Sequence, residues 1–131
     1  MLLLGGGVAC WMWNSLRHSL EPRCRLVVPH LPGHGQSCSE AYISHPMTAR
    51  ALHDLVMQRV GRPVAVIGLS PGAQLAIALA AQHPSAVSRV MVVSPQAKPM
   101  AFESLTLGLL GISAPTFCCE SDEEGGLNWR N

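Results

Sequence analysis

Charge is scarce in this 131-residue chain: only 13% of residues are Asp, Glu, Lys or Arg, and the formal net charge is +1. So even a balance leaves no electrostatic footprint for nucleic acid or for an acidic membrane surface. Long apolar runs are missing as well. None approaches the roughly 18 residues of a spanning helix, so no membrane partner is expected. The apolar start, Met1–Leu4, has no basic stretch ahead of it and is cut at Gly5-Gly6-Gly7, which argues for a buried strand rather than a signal peptide. The cysteines (Cys10, Cys24, Cys38, Cys118 and Cys119) are odd in number and form no C-x-x-C, so neither a disulfide framework nor a zinc ribbon is expected. Adjacent Cys118 and Cys119 would face opposite sides of a strand and do not readily share a metal. Reduced thiols in a cytoplasmic protein are the expectation. No metal or organic cofactor is implied.

What is present is apolar: 48% of the residues are hydrophobic, too many for intrinsic disorder, and the length suits one domain. From the first residue the pattern alternates strand, loop and helix. Met1–Leu4 reads as a short strand. Trp13, Leu16 and Leu20 give helical spacing over Trp11–Leu20, ahead of Pro22. Arg25–Pro29 is β-branched, and residues 31–39 form a Pro/Gly/Ser loop. Thr48 is the expected cap of a helix that buries Leu52 and Val56 and ends at Gly61. Pro63–Gly68 is a fully apolar strand of the kind found inside parallel sheets, Val87–Val93 is another apolar strand, and between them lies an Ala-rich helix, Ala73–His83. A helix over Ala101–Leu110 and a strand over Ala114–Cys119 complete the pattern. The alternation predicts an α/β fold, three layers α/β/α around a mostly parallel sheet of four to five strands. Residues 1–119 form one domain. Residues 120–131 open with Glu120, Asp122, Glu123 and Glu124 and are expected to be an acidic, solvated, mobile tail.

One motif carries chemistry. Gly68-Leu69-Ser70-Pro71-Gly72 is a G-x-S-x-G that follows an apolar strand and opens a helix. A sharp strand-to-helix turn there pushes the serine oxygen into the open. Gly68 and Gly72 let strand and helix approach closely, and the helix N-terminus favours negative charge developing nearby.

With that turn in place the sequence resembles the α/β-hydrolase fold family. LLLGGGVACWMW is similar to the strand and glycine loop that supply the first oxyanion donor, RLVVPHLPGHGQS to the next strand and its D-x-P-G-H-G-x-S loop, VIGLSPGAQLAIALAAQHP to the nucleophile elbow, and VSRVMVVSP to the strand after it. The likeness spans about residues 2–95 and corresponds to the front half of such a hydrolase, with residues 96–111 in the place of a lid. It implies Ser70 as nucleophile and the Gly6 N–H as an oxyanion donor. Ala114–Cys119 looks like the strand before the family's catalytic acid, which implies Glu124 at the acid position with Asp122 close by.

Departures from the pattern are specific. Leu4 stands where a His is usual, and His30 where the loop usually begins with Asp. Pro71 follows the serine, at the position whose backbone N–H the family uses as the second oxyanion donor; proline has none. Losing one such donor costs about 2.7–4 kcal/mol of transition-state stabilisation. His83 is the only histidine after Ser70, thirteen residues along the same helix and so about 20 Å away, too far to serve as the base. His34 reads as structural, and the Pro-Gly loop gives no reason for His30 and His34 to meet a metal.

These residues admit three functions. The first is a serine hydrolase acting on a carboxylic ester, thioester or amide, a small-molecule substrate. The alternative is a catalytically impaired hydrolase-like remnant or binding module, self-associating through exposed sheet edges. The third is dinucleotide binding at Gly5-Gly6-Gly7, which lacks the third glycine (Cys10 stands there) and an acid about twenty residues on.

Overall fold

The computed structural model describes residues 1–95. The expected helix at 101–110, the strand at 114–119 and the acidic tail lie outside the described residues.

Three parallel strands form the sheet: β1 (Leu2–Leu3), β2 (Val64–Leu69) and β3 (Val87–Val93), in that spatial order. Leu2 stands opposite Ile67 and Leu3 opposite Gly68, while Ile67 to Leu69 run beside Met91 to Val93. The architecture is therefore α/β with a partial hydrolase-type sheet, but the described sheet has three strands rather than four or five. The segment expected as a strand at Arg25–Pro29 does lie beside β1, where the Leu2 N–H donates to the Val27 carbonyl (2.9 Å). It makes only an isolated bridge at Pro29, because a proline offers the ladder no N–H.

Three helices connect the strands. A 3₁₀ turn at Cys10–Trp13 leads into α1 (Asn14–Leu20), so the expected helix is tightened in its first turn. α2 spans His45–Arg59 and starts three residues before the expected cap. Ser44 caps it, its hydroxyl accepting from the Met47 N–H (3.3 Å), while Thr48 sits in the first turn and donates back to the Ser44 carbonyl (3.0 Å). Gly61, at φ +70°, ends the helix as expected. α3 spans Pro71–Gln82, with His83 at its C-cap.

The core follows the apolar spacing. Leu52 and Val56 of α2, and Leu75, Ala76 and Leu79 of α3, pack with Leu2–Leu4 and Val66 and are essentially inaccessible to solvent. Burying a side chain of this size stabilises the fold by about 1.5–3 kcal/mol relative to leaving it exposed. β3 departs from its sequence. An apolar strand of this kind was expected inside the sheet, yet among the described residues β3 has a neighbour on one side only, and Val90, Met91, Val92 and Val93 are 39–59% exposed.

Leu79 has no exposed surface whereas Ile77 on the same helix is half exposed. Leu79→Ala is expected to lower the unfolding free energy by about 2–5 kcal/mol, and Ile77→Ala by under about 1 kcal/mol, both read from urea denaturation.

Candidate active site

The site is built where β2 turns into α3. Ser70 lies between Leu69, the last residue of β2, and Pro71, the first of α3. Its backbone sits at φ 53°, ψ −116°, a region that glycine tolerates and other residues rarely adopt. Three backbone hydrogen bonds hold it there. The Ser70 N–H donates to the Val93 carbonyl (2.9 Å), and the Ser70 carbonyl accepts from Ala73 (2.9 Å) and Gln74 (3.3 Å). Its hydroxyl is not used as a cap, so it is not spent on holding the helix. The side chain is half-buried and, among the described residues, makes no hydrogen bond.

Two glycines make this turn sterically feasible. A Cβ on Gly68 would run into the backbone carbonyl of Gly72. A Cβ on Gly72 would stand 2.5 Å from the carbonyl oxygens of both Leu3 and Leu4. The start of α3 thus presses on β1 and β2 together, backbone against backbone. The glycine loop after β1 is carried to the same place: a Cβ on Gly6 would lie 3.5 Å from Pro71 Cγ. Ser70, Gly6, Pro71, Gly68 and Gly72 are therefore all at one turn. Pro71 occupies the first helical position, where its ring is well tolerated and its missing N–H breaks no helical hydrogen bond.

The histidines separate cleanly. His83 stacks on His53 of α2, ring centroids 4.6 Å apart, at the far end of α3 from Ser70. His30 is fully buried and its Nδ1 accepts from the Gln36 N–H (3.3 Å). Gly35, at φ +50°, has to be glycine here, since a Cβ would overlap the His30 ring. His34 Nδ1 bonds the Pro32 carbonyl (3.1 Å), and both His30 and His34 shape the loop. Among the described residues no three His, Cys, Asp or Glu side chains gather to hold a metal. Glu124 and Asp122 lie outside the described residues.

One histidine near the elbow helix was missed in the sequence. His45, at the start of α2, bonds Gln74 Oε1 through Nε2 (2.9 Å) and the Tyr42 hydroxyl through Nδ1. An amide oxygen can only accept, so the His45 Nε2–H donates to Gln74 Oε1, while the Tyr42 hydroxyl meets Nδ1. Burial pushes the Tyr42 phenol above its ordinary pKa, in keeping with a donating O–H. Gln74 is one turn past Ser70, so this chain of bonds ties α2 to the elbow helix. Its only signal in the sequence is a lone glutamine on an otherwise apolar first turn.

The pattern of the alpha/beta hydrolase fold matches residues 1–113. This chain belongs to the alpha/beta hydrolase fold family. It is 32% identical over 98 residues to a pimeloyl-[acyl-carrier protein] methyl ester esterase of Vibrio campbellii, covering 75% of this chain and 37% of that protein. A protein of the same name from Nitrosospira multiformis is 36% identical over 97 residues, again spanning 72% and 37% of the two chains. The chain thus spans well under half the length of these relatives. Among solved structures, the type II thioesterase BorB of the borrelidin biosynthetic cluster superposes with a TM-score of 0.67 at 24% identity, covering 88% of this chain and 56% of that one. The M. tuberculosis esterase Rv0045c superposes with a TM-score of 0.59 at 26% identity, covering 84% and 38%.

The backbone at Ser70 separates strain from chemistry. A glycine there relieves about 1–3 kcal/mol of strain against about 0.5–1 kcal/mol of added backbone entropy. Ser70→Gly is expected to unfold at higher urea than Ser70→Ala, which keeps the Cβ in the strained turn; equal midpoints would contradict a strained elbow.

Proposed function

We propose that the elbow is a serine-hydrolase site in which Ser70 attacks the carbonyl carbon of a carboxylic ester, thioester or amide. The single observation that carries this reading is the backbone of Ser70, a non-glycine residue held at φ 53° by three hydrogen bonds at a strand-to-helix turn. Such strain persists only where the surroundings enforce it, and it clusters at reactive positions. The names of the relatives favour an ester or thioester over an amide. Attack of Ser70 Oγ forms a new C–O bond and sends the hydroxyl proton to a base; collapse breaks the bond to the leaving oxygen or sulfur, which takes up a proton, and water then releases the acyl group. The Gly6 loop beside Pro71 is placed to offer an N–H to the developing oxyanion. No described histidine bonds the Ser70 hydroxyl, so the base comes from elsewhere.

The second reading, an impaired hydrolase-like or binding protein, is favoured by one observation: Pro71 has no N–H at the position from which the second oxyanion donor would come. The two readings meet in one experiment. Fluorophosphonate labelling and hydrolysis of a short-chain nitrophenyl ester are expected to depend on Ser70 and to vanish in Ser70→Ala. Pro71→Ala restores an N–H and is expected to raise the Ser70-dependent rate roughly a hundred- to a thousandfold. A folded protein that never labels, with or without Pro71→Ala, would establish the second reading instead.

We propose further that the exposed apolar edge of β3 pairs with a second copy. Light scattering is expected to give a species larger than the 14.0 kDa chain, and Val92→Lys is expected to shift it toward monomer; a monodisperse wild-type monomer would contradict the pairing.

A further inference from the structure

The glycine loop after β1 is held by a sulfur atom. Gly5 is buried, and its backbone N–H donates to the thioether of Met12 (3.4 Å). Met12 lies in the 3₁₀ turn Cys10–Trp13, its side chain partly buried against the core. A buried N–H requires an acceptor, and a thioether is a weak one. Among the described residues no backbone carbonyl takes this N–H instead.

The bond matters because of what the loop touches. An added Cβ on Gly5 would lie 3.4 Å from Leu69 Cδ2, and one on Gly6 would lie 3.5 Å from Pro71 Cγ. The loop therefore meets both chain neighbours of Ser70. Among the described residues the Gly6 N–H makes no hydrogen bond, so it is left open to a ligand. Three consecutive glycines bring no side chains that could fix the loop, and their backbone is the costliest to order. One weak bond at Gly5 thus carries much of the restraint.

We propose that Met12 is an oxidisable anchor of the glycine loop: its sulfur fixes Gly5, and through it the Gly6 N–H beside Ser70, and a peroxide converts it to a sulfoxide that releases the loop. The catalytic consequence rests on the hydrolase reading of Ser70; the anchor itself does not. In the modification a sulfur lone pair attacks one oxygen of hydrogen peroxide. An S–O bond forms as the O–O bond breaks, the departing hydroxide takes the remaining proton, and sulfur is oxidised while peroxide is reduced to water. The sulfoxide cannot keep the old contact. An oxygen turned toward Gly5 has no room within 3.4 Å, and one turned away leaves the N–H facing an electropositive sulfur.

Amide hydrogen exchange at Gly5, followed by NMR, tests the anchor without any need for activity. Met12→Leu conserves volume and removes the acceptor. Gly5 exchange is expected to quicken roughly two- to tenfold, with exchange in α2 unchanged. The wild-type chain treated with hydrogen peroxide, then with dithiothreitol to return the thiols, is expected to behave like the variant and to carry one added oxygen on Met12 by peptide mass spectrometry. Methionine sulfoxide reductase is expected to restore slow exchange. Met47, Met57 and Met91 are more exposed and remain in Met12→Leu, so peroxide on that variant is expected to leave Gly5 exchange as it is. Fluorophosphonate labelling of Ser70 is expected to slow ten- to hundredfold in both altered forms, and ester hydrolysis to fall in kcat rather than to rise in KM. Gly5 exchange indifferent to Met12→Leu and to peroxide, or a Met12 that peroxide leaves intact in the folded chain, would overturn the anchor. Faster Gly5 exchange with unchanged Ser70 labelling would overturn the positioning of Gly6. Absence of labelling in every form counts against the hydrolase reading alone, and Gly5 exchange still decides the anchor. If Met12→Leu misfolds, the oxidation and reductase cycle on the wild-type chain makes the same comparison.

Discussion

The contact on which the rest depends is the meeting of α3 with β1 and β2 at Gly68 and Gly72. Two carbonyl oxygens of the β1 segment lie where a Gly72 side chain would be, and the Gly72 carbonyl lies where a Gly68 side chain would be. This approach sets the depth at which α3 sits on the sheet, and with it the burial of Leu75, Ala76 and Leu79. It also forces the turn so sharply that Ser70 is left in a backbone region suited to glycine. Packing and strain thus have one origin. The core stabilises the placement of the helix, and that placement holds the serine in its exposed turn.

Where local chemistry and packing agree, the fold was legible in the sequence. PVAVIG reads as an apolar strand and is the central strand of the described sheet, although only Val66 and Gly68 of it are buried, and G-x-S-x-G between it and an Ala-rich helix marks the tight turn, its two close-packed glycines and the helical start at Pro71. Position and neighbours were harder. Thr48 precedes the apolar positions of α2 and so reads as its cap, but Ser44 is the cap because Pro46 fits inside the first turn and the helix starts earlier. Arg25–Pro29 has the composition of a strand, but Pro29 cannot donate to a ladder. The His45–Gln74 bond joins residues 29 apart on different helices, and nothing local marks it.

β3 shows the same limit from the other side. Val-Met-Val-Val has no polar alternation, so the sequence reads as a strand covered on both faces. Among the described residues only β2 lies beside it, and its apolar side chains remain exposed. Composition records the environment for which a strand is suited; it does not say which segment provides that environment.

Pro71 brings these strands of argument together, since it satisfies the fold and opposes the chemistry at one atom. At the first position of α3 its fixed φ is pre-set for a helix, and the N–H it lacks would have had no helical partner. In stability terms the residue is neutral or better. On the proposed hydrolase reading, an oxyanion beside Ser70 would call for that same N–H, and the Gly6 loop lies against the proline ring. Selection on folding alone would accept Pro71, whereas selection on turnover would resist it. The rate gained by returning an N–H at residue 71, compared with the stability lost, therefore measures which of the two this elbow is built to serve.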